Sequence, residues 1–234
     1  MPSPEVRVLP TPAAVAAAAA ERVVAAAART KETFTIALAG GSTPTALYRL
    51  LVSKPIDWTR VQVFFGDERC VPPGDPASNY RMACEALLDH VAIPAGNVHR
   101  IRGEDPPLVA AATYERELRA TTARLDLVLL GMGDNGHTAS IFPGLTAVRE
   151  TERWVVAEEV AEVGMWRVTL TPVAFNAAAE VLFLVAGREK AAMLHRVLDG
   201  PRDPAALPAQ AIVPLRGPAN WLVDAAAAAL LAQQ

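Results

Sequence analysis

Short apolar runs that stop abruptly at glycine-rich or charged turns recur along this chain, with helical stretches between them. No other feature restricts the fold as tightly. The strand candidates are residues 35–39 (TIALA), 61–65 (VQVFF), 98–102, 125–130 (LDLVLL), 155–158, 167–170 and 181–185 (VLFLV). Residues 221–223 are a last one. Helices are expected over 12–29, 44–52, 78–90 and 107–123, with another after residue 188 and a terminal one after residue 223. Near-continuous apolar strands alternating with helices predict a mainly parallel sheet covered on both faces. The expected fold class is therefore α/β and doubly wound, in one domain over residues 1–234, with a small subsidiary lobe around residues 140–170.

Composition narrows the function classes. With 234 residues, 52% of them hydrophobic, one sizeable core can be buried. A net charge of −3 argues against a general electrostatic affinity for nucleic acid or anionic lipid. An anionic ligand must instead meet a local cluster of basic groups. Cys70 and Cys84 are too few for a disulfide framework and lack metal-ligand spacing, so no metal is expected. Residues 1–12 hold no apolar core of a signal sequence, and Glu21 and Arg22 interrupt the alanine-rich stretch 13–28. The expectation is a cytoplasmic protein, not attached to a membrane, acting as a monomer.

Three loops carry chemistry-bearing residues. The first, Gly40-Gly41-Ser42-Thr43-Pro44, follows a strand and opens a helix. Glycine amides without a Cβ nearby, two hydroxyls and a helix N-terminus make a phosphate cradle. It is neither a P-loop nor a dinucleotide fingerprint, and the same residues would serve as an ordinary tight βα turn. The second is Gly66-Asp67-Glu68-Arg69, where a hydrophobic strand ends in two acids and a base. Ligands of open α/β sheets bind beyond the carboxyl ends of strands. There Asp67 could orient a hydroxyl or act as a base, and Arg69 could hold an oxyanion or phosphate; a solvated turn with a local ion pair would look the same.

The third loop, Gly131-Met132-Gly133-Asp134-Asn135-Gly136-His137-Thr138-Ala139-Ser140, is the most specific. It presents an imidazole beside Asp134 and Asn135, with glycines clearing the space around it. A lone histidine is more often structural, but this setting suits a group that takes a proton from water during attack on a carbonyl. His90, His99 and His195 have no comparable setting. Two further basic residues are candidates for an anion: Arg167, at the head of a strand, and Lys190, at the start of the helix after VLFLV. Lys190 is one of three lysines, with Lys31 and Lys54, among 22 basic side chains. Lysine where arginine otherwise prevails hints at a compact point charge.

Together LAGGSTP (38–44), GDERCVP (66–72), SNY (78–80), GMGDNGHTASIFPG (131–144), RVTLTP (167–172) and GREK (187–190) resemble the 6-phosphogluconolactonase family over most of the chain. The resemblance implies a Rossmann-type fold, no redox cofactor, and hydrolysis of a phosphorylated sugar lactone in the oxidative pentose phosphate pathway. It implies His137 as general base toward water, with Asp134 or Asn135 fixing the imidazole and Arg69 or a loop amide stabilising the oxyanion. The substrate phosphate would sit among Gly41, Ser42, Arg167 and Lys190. One departure stands out: the family commonly has Asp directly before Gly-His, where this chain has Asn135. A related deaminase acting on glucosamine 6-phosphate would need an acid soon after Gly-His, and Ser140-Ile141-Phe142-Pro143-Gly144 has none. A non-catalytic sugar-phosphate sensor would be expected to carry a DNA-binding extension, for which the N-terminal segment has no room.

Overall fold

The structure, a computed structural model, describes residues 3–232. Its first half runs β1 (Glu5–Leu9), α1 (Pro12–Arg29), β2 (Phe34–Leu38), α2 (Ser42–Leu51), β3 (Val61–Phe65), β4 (Asp67–Arg69), α3 (Asn79–Ala86) and α4 (Pro107–Thr121). Its second half runs β5 (Leu127–Leu130), β6 (Val155–Val160), β7 (Met165–Leu170), α5 (Pro172–Ala177), β8 (Glu180–Val185), α6 (Ala191–Leu198) and β9 (Asn220–Asp224).

Six strands pair in parallel in the order β1-β9-β8-β5-β2-β3. The interior strands β2, β5 and β8 are buried almost throughout, which explains their continuous rather than alternating apolar sequence. From β2 the chain first moves outward to β3, then returns to the other side of β2 to lay down β5. Right-handed crossovers running in opposite directions place helices on opposite faces. The loops after β2 and β5 diverge at this switch, which opens a crevice there.

Helix α1 begins at a Thr11 cap, whose Oγ1 accepts from Ala14 N at 3.2 Å, with Pro12 in the first turn. It buries Val15, Ala16, Ala19, Ala20, Val23 and Ala26, a stripe at helical spacing whose small side chains allow close approach to the sheet. Two buried tyrosines fix the strand ends nearest the crevice. The Tyr48 hydroxyl accepts from Ala39 N and donates to Ala39 O, each at 2.8 Å. The Tyr114 hydroxyl does the same for Phe65, at 2.7 and 3.0 Å. Each satisfies backbone groups where a strand gives way to a loop and its ladder partners end.

A second sheet, antiparallel in the order β4-β7-β6, forms the subsidiary lobe. It reaches back to residues 67–69, beyond the 140–170 span expected. The chain passes from one sheet to the other at Gly66, whose N–H donates to Leu38 O and whose carbonyl accepts from Leu170 N, both at 2.8 Å.

Four local expectations are corrected. Residues 98–102 form no strand: a single bridge joins Val63 to Val98. The segment is then drawn toward the loop after β4, where a Cβ on Gly103 would lie 2.4 Å from Arg69 O. Residues 225–230 form turns rather than a terminal helix: Leu231 N donates to Ala228 O, one residue short of the α-helical spacing, and Ala232 N is drawn to Asp199 Oδ2 at 3.1 Å. The helix expected over 78–90 ends at Ala86, followed by a separate short 3-10 turn. Residues 188–190 are likewise a 3-10 turn before α6. The strand β1 was not expected, although Val6 and Val8 alternate with Glu5 and Arg7 as an edge strand should. Among the described residues, no helix is long and apolar enough to cross a membrane.

Candidate active site

A cleft of about 540 Å³ opens at the carboxyl ends of β2, β3 and β5. All three glycine-bearing loops line it: Ala39 to Gly41, then Gly66, Asp67 and Arg69, then Gly131 to Ala139 apart from Gly136. Asn79, Phe142, Glu162 and Arg167 complete it with polar and aromatic side chains. Ser42 and Thr43 lie just behind the Gly40-Gly41 turn, in the first turn of α2. That helix starts from Gly41 at φ +104° with no side-chain cap, which leaves the Ser42 and Thr43 amides of its first turn without a side-chain partner.

The loop after β5 is folded around His137. Gly133 N donates to His137 O at 2.8 Å, Thr138 Oγ1 donates to Gly131 O at 2.8 Å, and Gly136 turns the chain at φ +81°. A Cβ on Gly133 would lie 2.0 Å from the imidazole, so only glycine lets the ring lie against this backbone. Phe142 stacks on the other side, with ring centroids 4.2 Å apart.

Asn135, and not Asp134, contacts the ring. Asn135 Oδ1 accepts from His137 N at 3.1 Å and lies 2.6 Å from His137 Nδ1. An amide oxygen has no hydrogen to give, so Nδ1 carries the proton and Nε2 presents its lone pair. Nε2 has no partner among the described residues. Asp134 is turned outward, where Lys190 Nζ binds its carboxylate and holds that acid below its usual pKa. Burial pushes the His137 imidazole below the ordinary histidine value. The Asp67 and Glu162 carboxylates oppose that shift, while Lys190 and Arg167 reinforce it.

The second sheet delivers the other charged groups. Asp67 is buried, with Oδ2 accepting from Ser140 Oγ at 2.6 Å and Oδ1 from Asn79 Nδ2 at 3.2 Å. Gly40 makes that arrangement possible, because a Cβ there would sit 2.2 Å from Asn79 Oδ1. Glu68 is buried too but faces away from chemistry. It caps α3, accepting from Asn79 N and Tyr80 N at 2.7 and 2.8 Å, and burial raises its pKa.

Arg69 and Arg167 are direct partners in the β4–β7 ladder. Like charges opposite each other in a sheet are destabilising. Burial, and then the Arg69 charge, lower the Arg167 pKa. Arg69 Nη1 donates to Ala77 O, yet the Nε groups of both arginines are buried without a partner. Two unpaired buried guanidinium donors side by side leave a strong deficit that an anion would correct. Lys190 is set apart from this pair by its bond to Asp134 and does not line the cleft.

Sequence reasoning thus placed residues of all three loops and Arg167 in one cleft. It assigned no role to Asn79, Ser140, Phe142 or Glu162. Asn79 and Ser140 lie inside the quoted SNY and GHTAS segments and carried a signal. Glu162, on an otherwise ordinary hairpin, carried none.

A sequence profile described as glucosamine-6-phosphate isomerases/6-phosphogluconolactonase matches residues 10–221. A 6-phosphogluconolactonase of Nostoc sp. is 43% identical over 206 residues, covering 85% of each chain. One from Mycobacterium tuberculosis is 37% identical over 246 aligned residues, spanning 98% of this chain and 99% of its own. The solved structure of the 6-phosphogluconolactonase from Trypanosoma brucei superposes with a TM-score of 0.89 at 30% identity, covering 99% of this chain and all of that one (100%). The chain belongs to the glucosamine-6-phosphate isomerase/6-phosphogluconolactonase family.

Proposed function

We propose that this protein hydrolyses 6-phospho-D-glucono-1,5-lactone to 6-phosphogluconate, with His137 as the general base. One observation carries the reading: a neutral imidazole with a free Nε2 shares a cleft with two arginines whose Nε groups have no partner. The first suits activation of water, the second a phosphate. Nε2 takes a proton from water as its oxygen attacks the lactone carbonyl, C1. The tetrahedral oxyanion is held by main-chain N–H groups of the glycine loops. It collapses with cleavage of the bond from C1 to the ring oxygen, and the imidazolium returns the proton to that oxygen. General-base assistance of this kind supplies about 10²–10⁴-fold, and no covalent nucleophile is needed.

Arg69 and Arg167 hold the phosphate together, near the first turn of α2 with Gly40, Gly41, Ser42 and Thr43. Lys190 joins them only by exchanging Asp134 for the ligand. Asp67, fixed by Ser140 and Asn79, orients a sugar hydroxyl. The proposed acting form is a cytoplasmic monomer of a single domain that takes a free sugar phosphate. No carboxylate follows His137 in the segment up to Gly144, which favours lactone hydrolysis over deamination.

The test is acid release from freshly made 6-phosphogluconolactone, measured above its spontaneous hydrolysis, beside ammonia release from glucosamine 6-phosphate. Fast acid release with no ammonia is expected. Ammonia release without lactone hydrolysis would overturn the reading.

A further inference from the structure

Asparagine is a demanding neighbour for a catalytic imidazole. A carboxylate accepts from His Nδ1 with either oxygen, whereas an amide does so in one orientation only. Turned over, Asn135 would present its NH2 group to Nδ1. That nitrogen would then have to accept, the hydrogen would move to Nε2, and Nε2 could no longer take a proton from water.

Two contacts oppose that reversal. His137 N donates to Asn135 Oδ1 at 3.1 Å, within the loop itself. At the outer end, Asn135 Nδ2 donates to Glu162 Oε2 at 3.2 Å, across 27 residues of sequence. Glu162 sits in the turn between β6 and β7, where Val160 and Met165 are paired. The turn is closed by Gly164, in left-handed conformation at φ +58°, whose N–H donates to Ala161 O at 3.1 Å. A carboxylate accepts and never donates in its ionised form, so it can bind only the nitrogen end of the amide.

We propose that Glu162 is a positioning residue for His137: it holds the Asn135 amide with its nitrogen outward and so fixes the hydrogen of the imidazole on Nδ1. This rests on the reading of His137 as general base. The chain Glu162···Asn135···His137 also delivers a negative charge toward the ring through a neutral relay. The charged groups acting on His137 besides Glu162 are Asp67, Asp134, Lys190 and Arg167, with Phe142 stacked on the ring. A carboxylate directly at position 135 would not need the anchor, because neither of its orientations is wrong.

The experiment compares wild type with Glu162→Ala, Glu162→Gln, Asn135→Asp and the Asn135→Asp/Glu162→Ala double variant, each checked for unchanged thermal unfolding. Glu162→Ala should lower kcat/KM about three- to tenfold, the range for one lost hydrogen bond. It should also shift the acid limb of the pH profile downward, because a charge favouring imidazolium is gone. Glu162→Gln, whose amide oxygen can still accept from Asn135, should restore most of kcat but not the acid limb. In the Asn135→Asp background, Glu162→Ala should have no effect or a beneficial one. Ring 15N shifts of His137 should report hydrogen on Nδ1 in wild type and a mixture of tautomers in Glu162→Ala.

An unchanged tautomer and acid limb in Glu162→Ala would overturn the proposal, even if His137→Ala is inactive. So would an equal loss in the Asn135→Asp background, which would mark a general effect on the hairpin. If His137→Ala stays active while the tautomer shifts in Glu162→Ala, the positioning stands and the general-base reading fails.

Discussion

Two hollows of similar size lie at opposite ends of the parallel sheet. One, of about 540 Å³, sits at the carboxyl ends of β2, β3 and β5. The other, of about 510 Å³, lies at the amino ends, lined by Thr33, Thr35, Gln62, His99, Arg124 and Asp126 among others. Both contain a histidine, an arginine and a carboxylate. They differ in what those groups are already doing. At the amino end, His99 has Nδ1 against Glu117 Oε1 and Nε2 against Gln62 Oε1, each at 2.6 Å, and its ring stacks on Phe64. Asp126 Oδ2 accepts from both the amide and the hydroxyl of Thr35 at 2.8 Å. Arg124 is exposed, so solvent satisfies its guanidinium. At the carboxyl end, His137 Nε2 and the Nε groups of Arg69 and Arg167 are unused. Unfilled hydrogen-bonding capacity, rather than volume, separates a reactive cleft from a structural one.

The largest effect expected from this contrast is between the two histidines. His137→Asn should lower kcat by about 10²-fold or more, the scale of a lost general base, with the fold intact by circular dichroism. His99→Asn should leave kcat near wild type and lower stability, since it loses a stacked, hydrogen-bonded ring. Comparable activity losses in both would erase the distinction.

Next comes the arginine pair. Arg167→Ala removes a charge-assisted contact, which corresponds to a rise in KM of about 10- to 100-fold for the phosphorylated lactone. Unphosphorylated gluconolactone, if turned over, should be nearly insensitive. Equal losses on both substrates would move Arg167 from the phosphate to the reacting carbonyl. Arg69→Ala read the same way tells whether the two act as one unit.

The site was legible in the sequence where local chemistry advertises itself. Glycine at 40, 133 and 136 clears space at strand ends, and His137 is framed by such residues. Contacts made between distant segments were not. Ser140 bonds Asp67 across 73 residues, and no spacing rule foretells it. The pairing of Arg69 with Arg167 depends on β4, a strand of three charged residues whose composition disfavours strand formation. The neighbouring strand β7 supplies its pairing, and tertiary context overrides propensity. The doubly wound sheet was readable because its strands are buried on both faces and so are apolar throughout. The helix expected after β9 failed although alanine propensity was present, because a contact across 33 residues, Ala232 N to Asp199 Oδ2, takes the chain another way.

A smaller effect separates the hollows in stability. Asp126→Ala leaves the buried Thr35 amide and hydroxyl short of an acceptor and should cost about 1–3 kcal/mol in chemical denaturation. It should not change KM. A changed KM with unchanged stability would reverse the roles assigned to the two ends.

The smallest effect concerns pH. The folded-state pKa of His137 is depressed, so the neutral ring carries no penalty above the unfolded value of about 6.5. As pH falls through that value toward the folded one, the unfolded chain binds a proton that the folded chain resists, and stability is lost. His137→Asn should remove that loss, so its stability relative to wild type improves below about pH 6.5. A difference independent of pH would mean that burial does not hold the ring neutral.

The central claim, that the carboxyl-edge cleft takes the sugar phosphate, is tested most directly by nuclear magnetic resonance on 15N-labelled protein titrated with 6-phosphogluconate. The Nε–H resonances of Arg69 and Arg167 and the ring nitrogens of His137 should shift together, saturating along one binding curve. The His99 ring nitrogens and the Thr35 amide should stay in place. Shifts confined to His99 and Thr35, with both arginines and His137 unmoved, would contradict the account.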